Sequence, residues 1–74
     1  MDAATGHIML VQEDRFLLEH EDGHKQLFVL SHRSPFDPED LRSLARAGQL
    51  VHVSYEKSAN LIAGIADEVS AADG

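Results

Sequence analysis

The sequence predicts a mainly β protein, a five-stranded OB-like or SH3-like small barrel in the order β-β-β-α-β-β. Three observations lead there. Asp22-Gly23 stands between two apolar runs, a well-signalled helix occupies about 37–47, and apolar or alternating segments lie on both sides of these features. Three strands, a short amphipathic helix and two more strands is the order in which a helix covers one end of a small closed barrel. Closure also removes the unpaired edges that endanger a small open sheet.

The first strand is expected in His7-Ile8-Met9-Leu10-Val11-Gln12, a continuous apolar run closed by the polar turn Glu13-Asp14. Arg15 to Glu21 and His24 to Ser31 form the next two, because Asp-Gly favours a tight hairpin whose central residues take positive φ. A two-residue loop sets Glu21 opposite His24, His20 opposite Lys25, Leu18 opposite Leu27, Leu17 opposite Phe28 and Phe16 opposite Val29. Phe16, Leu18, Leu27 and Val29 then share the core face, while Leu17, Phe28 and Leu30 share a wetter one with Glu19 and Gln26.

The helix is written into Ser34 to Gly48 at every level. Asp37 is the N-cap, Pro38 takes the first helical position where its missing N–H costs nothing, and Glu39 and Asp40 suit the positive end of the helix dipole. Phe36 and Leu41 are spaced for a hydrophobic staple; Leu41, Leu44 and Ala45 form the apolar stripe; Gly48 is the stop. Leu41 and Leu44 are therefore expected in the core. Beyond it, Leu50 to Tyr55 alternates with Val51, Val53 and Tyr55 on one side. Residues 61–66 read as the fifth strand, with a short helix as the alternative, since Gly64 suits neither interior. Residues 1–6 and 69–74 are small and polar and are expected to be disordered, leaving one domain over 7–68.

The strings DRFLLEHEDG, FVLSH, PEDLRSL and VHVSYEKSANLIAGIA resemble a group of short bacterial proteins of unassigned function. The resemblance, over roughly residues 6–66, implies a small bacterial barrel domain and carries over no site residue.

Composition narrows the function classes. The formal net charge is −7, and it is concentrated at the ends: residues 1–14 contribute −3 (Asp2, Glu13, Asp14) and residues 67–74 another −3 (Asp67, Glu68, Asp73). Residues 15–33 are neutral and hold three of the five histidines. An acidic total disfavours phosphate-backbone binding, which needs several cations on one surface. There is no cysteine, hence no disulfide or cysteine zinc site, and no apolar stretch approaches the ~20 residues of a membrane span. With no basic start followed by an apolar run, a cytoplasmic domain is the expectation.

No catalytic constellation stands out. Ser31, Ser34, Ser54 and His52 lack any context such as GxSxG, and the acids of EDGH and DPED are explained by a turn and a cap. The expectation is a non-enzymatic binding module without cofactor or metal, its partner an unidentified protein or a second copy of itself. The candidate binding residues are Arg15, Leu17, His24, Lys25, Phe28, Leu30 and Arg33. Leu17, Phe28 and Leu30 would make an apolar patch. The same hairpin offers an alternative, weak single-stranded nucleic-acid binding with Phe28 as the stacking base and Arg15, Lys25, Arg33 and His24 as cations. A third reading is a weak divalent site on Glu21 and His24, with His20 on the opposite face and so unable to join it.

Overall fold

The computed structural model describes residues 2–57 and 63–72. The elements are β1 (Asp2–Gln12), β2 (Arg15–His20), β3 (Lys25–Leu30), α1 (Pro38–Arg46), β4 (Leu50–Glu56) and β5 (Gly64–Ala71). They close into a barrel in the order β1-β2-β3-β5-β4, with β4 returning to β1. Neighbours are antiparallel except β3 and β5, which run parallel through Phe28↔Gly64, Val29↔Ile65 and Leu30↔Ala66. The five-stranded barrel and its β-β-β-α-β-β order agree with the sequence reading.

The ends of the chain do not. Residues 2–6, expected to be disordered, are the first half of β1 and pair with β4 from Asp2↔Tyr55 to Gly6↔Val51. Residues 69–71 complete β5, where Val69 is fully buried, and Ala72 donates its N–H to the Leu50 carbonyl at 2.8 Å. Polar composition hid these segments because their order comes from ladder hydrogen bonds that close the barrel, which any side chain permits. Met1 and residues 73–74 lie outside the described residues, as do Leu61 and Ile62 of the expected fifth strand.

β1 serves two neighbours by bending. Its first half pairs with β4, its second with β2, and Gly6 belongs to both ladders, opposite Val51 and His20. A Cβ at Gly6 would collide with the Glu19 carbonyl, so the strand turns where only glycine fits. A bulge between Ile8 and Leu10 completes the bend.

The β2–β3 hairpin differs from expectation by one residue. His20 donates its N–H to the His24 carbonyl and Gly23 donates to the His20 carbonyl, both at 2.9 Å, so the loop has three residues, Glu21-Asp22-Gly23. Gly23, at φ 93°, takes the left-handed position that ends such a loop. The facing pairs become Glu19↔Lys25, Leu17↔Leu27, Phe16↔Phe28 and Arg15↔Val29. Because side chains alternate with period two, this single-residue shift exchanges the two faces of β3. Phe28 and Leu30 point inward and Leu27 outward, the reverse of the expected sorting.

The core gathers Phe16, Leu18, Phe28, Leu41, Val51, Val53 and Val69, with Tyr55 and Leu30 at its margin. Phe16 stacks on Phe28 at 5.3 Å between ring centroids, and Tyr55 meets Phe28 edge-on at 4.9 Å. Gly64 makes that cluster possible: a Cβ there would stand 2.8 Å from Tyr55 and 3.1 Å from Phe28. α1 forms as expected. Asp37 accepts from the Asp40 N–H and Asp40 accepts in return from the Asp37 N–H, both at 3.1 Å, an all-aspartate capping box. Leu41 is fully buried against the barrel; Leu44, expected beside it, is only half-buried and packs at the rim with Phe36 and Ala45.

Candidate functional site

With the aromatic side chains turned inward, the outer surface of β1, β2 and β3 acquires a different character. On β2, Phe16 and Leu18 enter the core, so Arg15, Leu17 and Glu19 must point out; on β3, Lys25, Leu27 and Val29 do. The registers align these positions into rows. Leu10, Leu17 and Leu27 lie side by side across three strands, flanked on one side by Gln12, Arg15 and Val29 and on the other by His7, Glu19 and Lys25. The ends of the leucine row are open to solvent, with Leu10 59% exposed, Leu27 40% and Met9 on the adjacent bulge 52%, while Leu17 between them is half-buried. These three are the exposed large hydrophobic residues among those described. A shallow depression of about 140 Å³ runs along the row, lined by Leu10, Gln12, Arg15, Leu17 and Leu27.

The charges around this row are few. Lys25 Nζ lies 3.9 Å from the Glu19 carboxylate, while Arg15 is exposed with no ion-pair partner among the described residues. A largely neutral, apolar surface on a chain of net charge −7 is a local departure from the molecule's acidity.

The candidate residues are therefore only partly assembled. Arg15, Leu17 and Lys25 share the outer face. Phe28 is fully buried and Leu30 nearly so, hence neither can contact a partner, and the predicted patch of Leu17, Phe28 and Leu30 does not exist. Arg33 sits elsewhere, in a groove of about 390 Å³ with His32, Glu56, Ile65 and Asp67. Sequence reading missed Leu10 and Leu27, the most exposed leucines among the described residues. The signal was the triplet Glu21-Asp22-Gly23, which fits a three-residue loop with glycine last as well as it fits a two-residue Asp-Gly turn.

His24 belongs to the hairpin tip. The same register shift makes His20 and His24 a facing pair, correcting their expected separation on opposite faces. Their rings stack at 4.0 Å, only 10° from parallel. His24 donates from both its backbone N–H and Nδ1 to the Asp22 carboxylate, at 3.0 and 2.7 Å, and His20 Nε2 donates to Gln26 Oε1 at 2.9 Å. The two hydrogen bonds from His24 hold the Asp22 carboxyl below its ordinary 3.8. Ring lone pairs lie in the ring planes, so two parallel stacked imidazoles cannot converge on one ion as tetrahedral ligands must. Among the described residues no group of three or more His, Cys, Asp or Glu side chains is placed to hold a metal. None of their helices is long and apolar enough to cross a membrane.

No family model, curated protein or solved structure matches the chain. The resemblance to short bacterial barrel proteins thus rests on its four strings alone, and the functional reading rests on the face itself.

Proposed function

We propose that this chain is a non-enzymatic binding module that engages protein through the outer face of β1–β2–β3. The observation that carries the reading is the row Leu10–Leu17–Leu27, with Met9 beside it, standing in solvent on a small acidic barrel. Apolar side chains set contiguously across three strands are what a protein interface buries, and a rim of few charges lowers the desolvation cost of doing so. We place the module in the cytoplasm, as a chain without cysteine has no need of an oxidising compartment.

Single-stranded nucleic acid is the weaker alternative. Stacking requires an exposed aromatic, and on this hairpin both rings are consumed in the core, with Phe16 on Phe28. Arg15 and Lys25 remain, the latter shared with Glu19, which is thin provision for a phosphate backbone.

A photo-crosslinking side chain placed at Leu27, with a control at Glu39 on α1, tests the reading in the native cell. Discrete protein adducts are expected from Leu27 and not from Glu39, and they should vanish when Leu17→Glu is added. Equal adducts from both positions, or adducts indifferent to Leu17→Glu, would remove the face from consideration. Amide shifts at Arg15 and Lys25 on adding a short oligonucleotide at low salt would replace protein by nucleic acid as the ligand.

A further inference from the structure

We propose that the partner of this face is a second copy of the chain, seated on it about a twofold axis running along the leucine row. The inference rests on the protein-binding reading of the face and adds the identity and orientation of the partner.

The order of side chains on the outside of β2 distinguishes the possible axes. Arg15, Leu17 and Glu19 are successive outward residues, so the cation and the carboxylate stand at equal distances of ~7 Å on either side of the central leucine. A closed dimer formed by one patch meeting its own copy has a twofold axis lying in the interface. Two such axes suit a face built on three strands with β2 at its centre. An axis along β2 keeps every residue at its own height on the strand and sets Arg15 against Arg15 of the second copy. An axis along the row Leu10–Leu17–Leu27 instead reverses the strand direction, placing each Arg15 opposite the other copy's Glu19. It does so twice by symmetry, and the three leucines meet their own counterparts between the two pairs. The charge pattern selects the second axis.

Three further features agree. Arg15 has no ion-pair partner among the described residues, so its side chain is available to a second copy. Lys25 lies on the same row as Glu19, and its 3.9 Å approach to that carboxylate is loose enough to leave room for a guanidinium. The charged residues of the face, Arg15, Glu19 and Lys25, sum to +1 where the whole chain carries −7, so apposing two such faces avoids the repulsion that the molecule's net acidity would otherwise bring. A face centred on three leucines and two surface ion pairs makes a weak contact, so the dimer should form in the upper micromolar range.

Sedimentation equilibrium of the full chain at ~0.15 M salt, from ~10 µM to ~1 mM, tests this directly. The weight-average mass should rise from 8.1 kDa towards twice that value. Leu17→Glu should hold the chain monomeric throughout. Arg15→Glu should weaken the dimer about tenfold, since two attractive pairs become repulsive, and Glu19→Lys should do the same. Combining Arg15→Glu with Glu19→Lys should restore the dimer to within about threefold of the original. Circular dichroism of each variant establishes that the barrel is intact. A wild-type chain monomeric at ~1 mM overturns the inference, and so does a combined variant no tighter than either single change. If Leu27 nonetheless crosslinks to a different polypeptide, the self-association falls while the protein-binding face stands; if it crosslinks to nothing, both fall.

Discussion

The two faces of the β2–β3 hairpin are built from nearly the same ingredients and meet opposite fates. Inside, Phe16, Leu18, Phe28 and Leu30 are almost completely buried; outside, Leu17, Leu27 and Val29 are half-buried to exposed, among Arg15, Glu19 and Lys25. Hydrophobicity does not separate them, since each strand sends leucine both ways. Barrel closure does. The inner side chains find α1, β4 and β5 across a closed interior, and the outer ones find only water. An apolar residue on one face is therefore a stability determinant and its immediate neighbour in sequence a candidate contact.

The sharpest way to break that comparison is to truncate adjacent residues. Phe28→Ala should cost about 3–5 kcal/mol, because it removes a fully buried ring packed against two others. Leu27→Ala, one residue away, should change stability by less than about 0.5 kcal/mol. Urea denaturation of the two variants reads the difference. Comparable losses would mean that the register of β3 is not the one described here.

Next in size is Gly64→Ala. The added methyl would press on Tyr55 and Phe28, and overpacking of this kind costs about 1–3 kcal/mol. The aromatic protons of those two rings should shift in the NMR spectrum, whereas a neutral substitution would show that the ring cluster has slack. Gly23→Val should follow at about 1–2 kcal/mol, as a β-branched residue resists the φ of 93° at the loop end. A cost near zero would mean that residue 23 need not hold a positive φ, which would contradict the loop conformation at the hairpin tip.

The smallest effect concerns the hairpin tip. Asp22 is held below its ordinary 3.8 by the backbone and side-chain hydrogen bonds from His24. A carboxyl with a depressed folded pKa contributes stability that is present above the unfolded value and lost as pH falls through the folded one, so the bond should persist through mildly acidic pH. An NMR titration should place the Asp22 midpoint under 3.8, and His24→Ala, which removes the imidazole but keeps the backbone N–H, should raise it only part of the way back. A normal midpoint in the unsubstituted chain would detach the tip from this description.

Much of the molecule is legible in its sequence. The cap at Asp37, the stop at Gly48, the inward run Val51, Val53, Tyr55 and the strand order around one helix depend on local rules: capping chemistry, dipole complement and period-two alternation. Each is written within a few residues of where it acts. Three things were decided only by the closed barrel. The loop Glu21-Asp22-Gly23 could have taken either length, and burying the Phe16–Phe28–Tyr55 cluster beside Gly64 chose three residues, because only that register directs both phenylalanines inward. Residues 2–6 and 69–72 carry little hydrophobic signal and are ordered by ladder bonds to β4, long-range pairings that no local pattern records. The exposed leucine row follows from both. Leu10, Leu17 and Leu27 are far apart in sequence, and it takes two strand registers in succession to lay them side by side on the outside of the barrel.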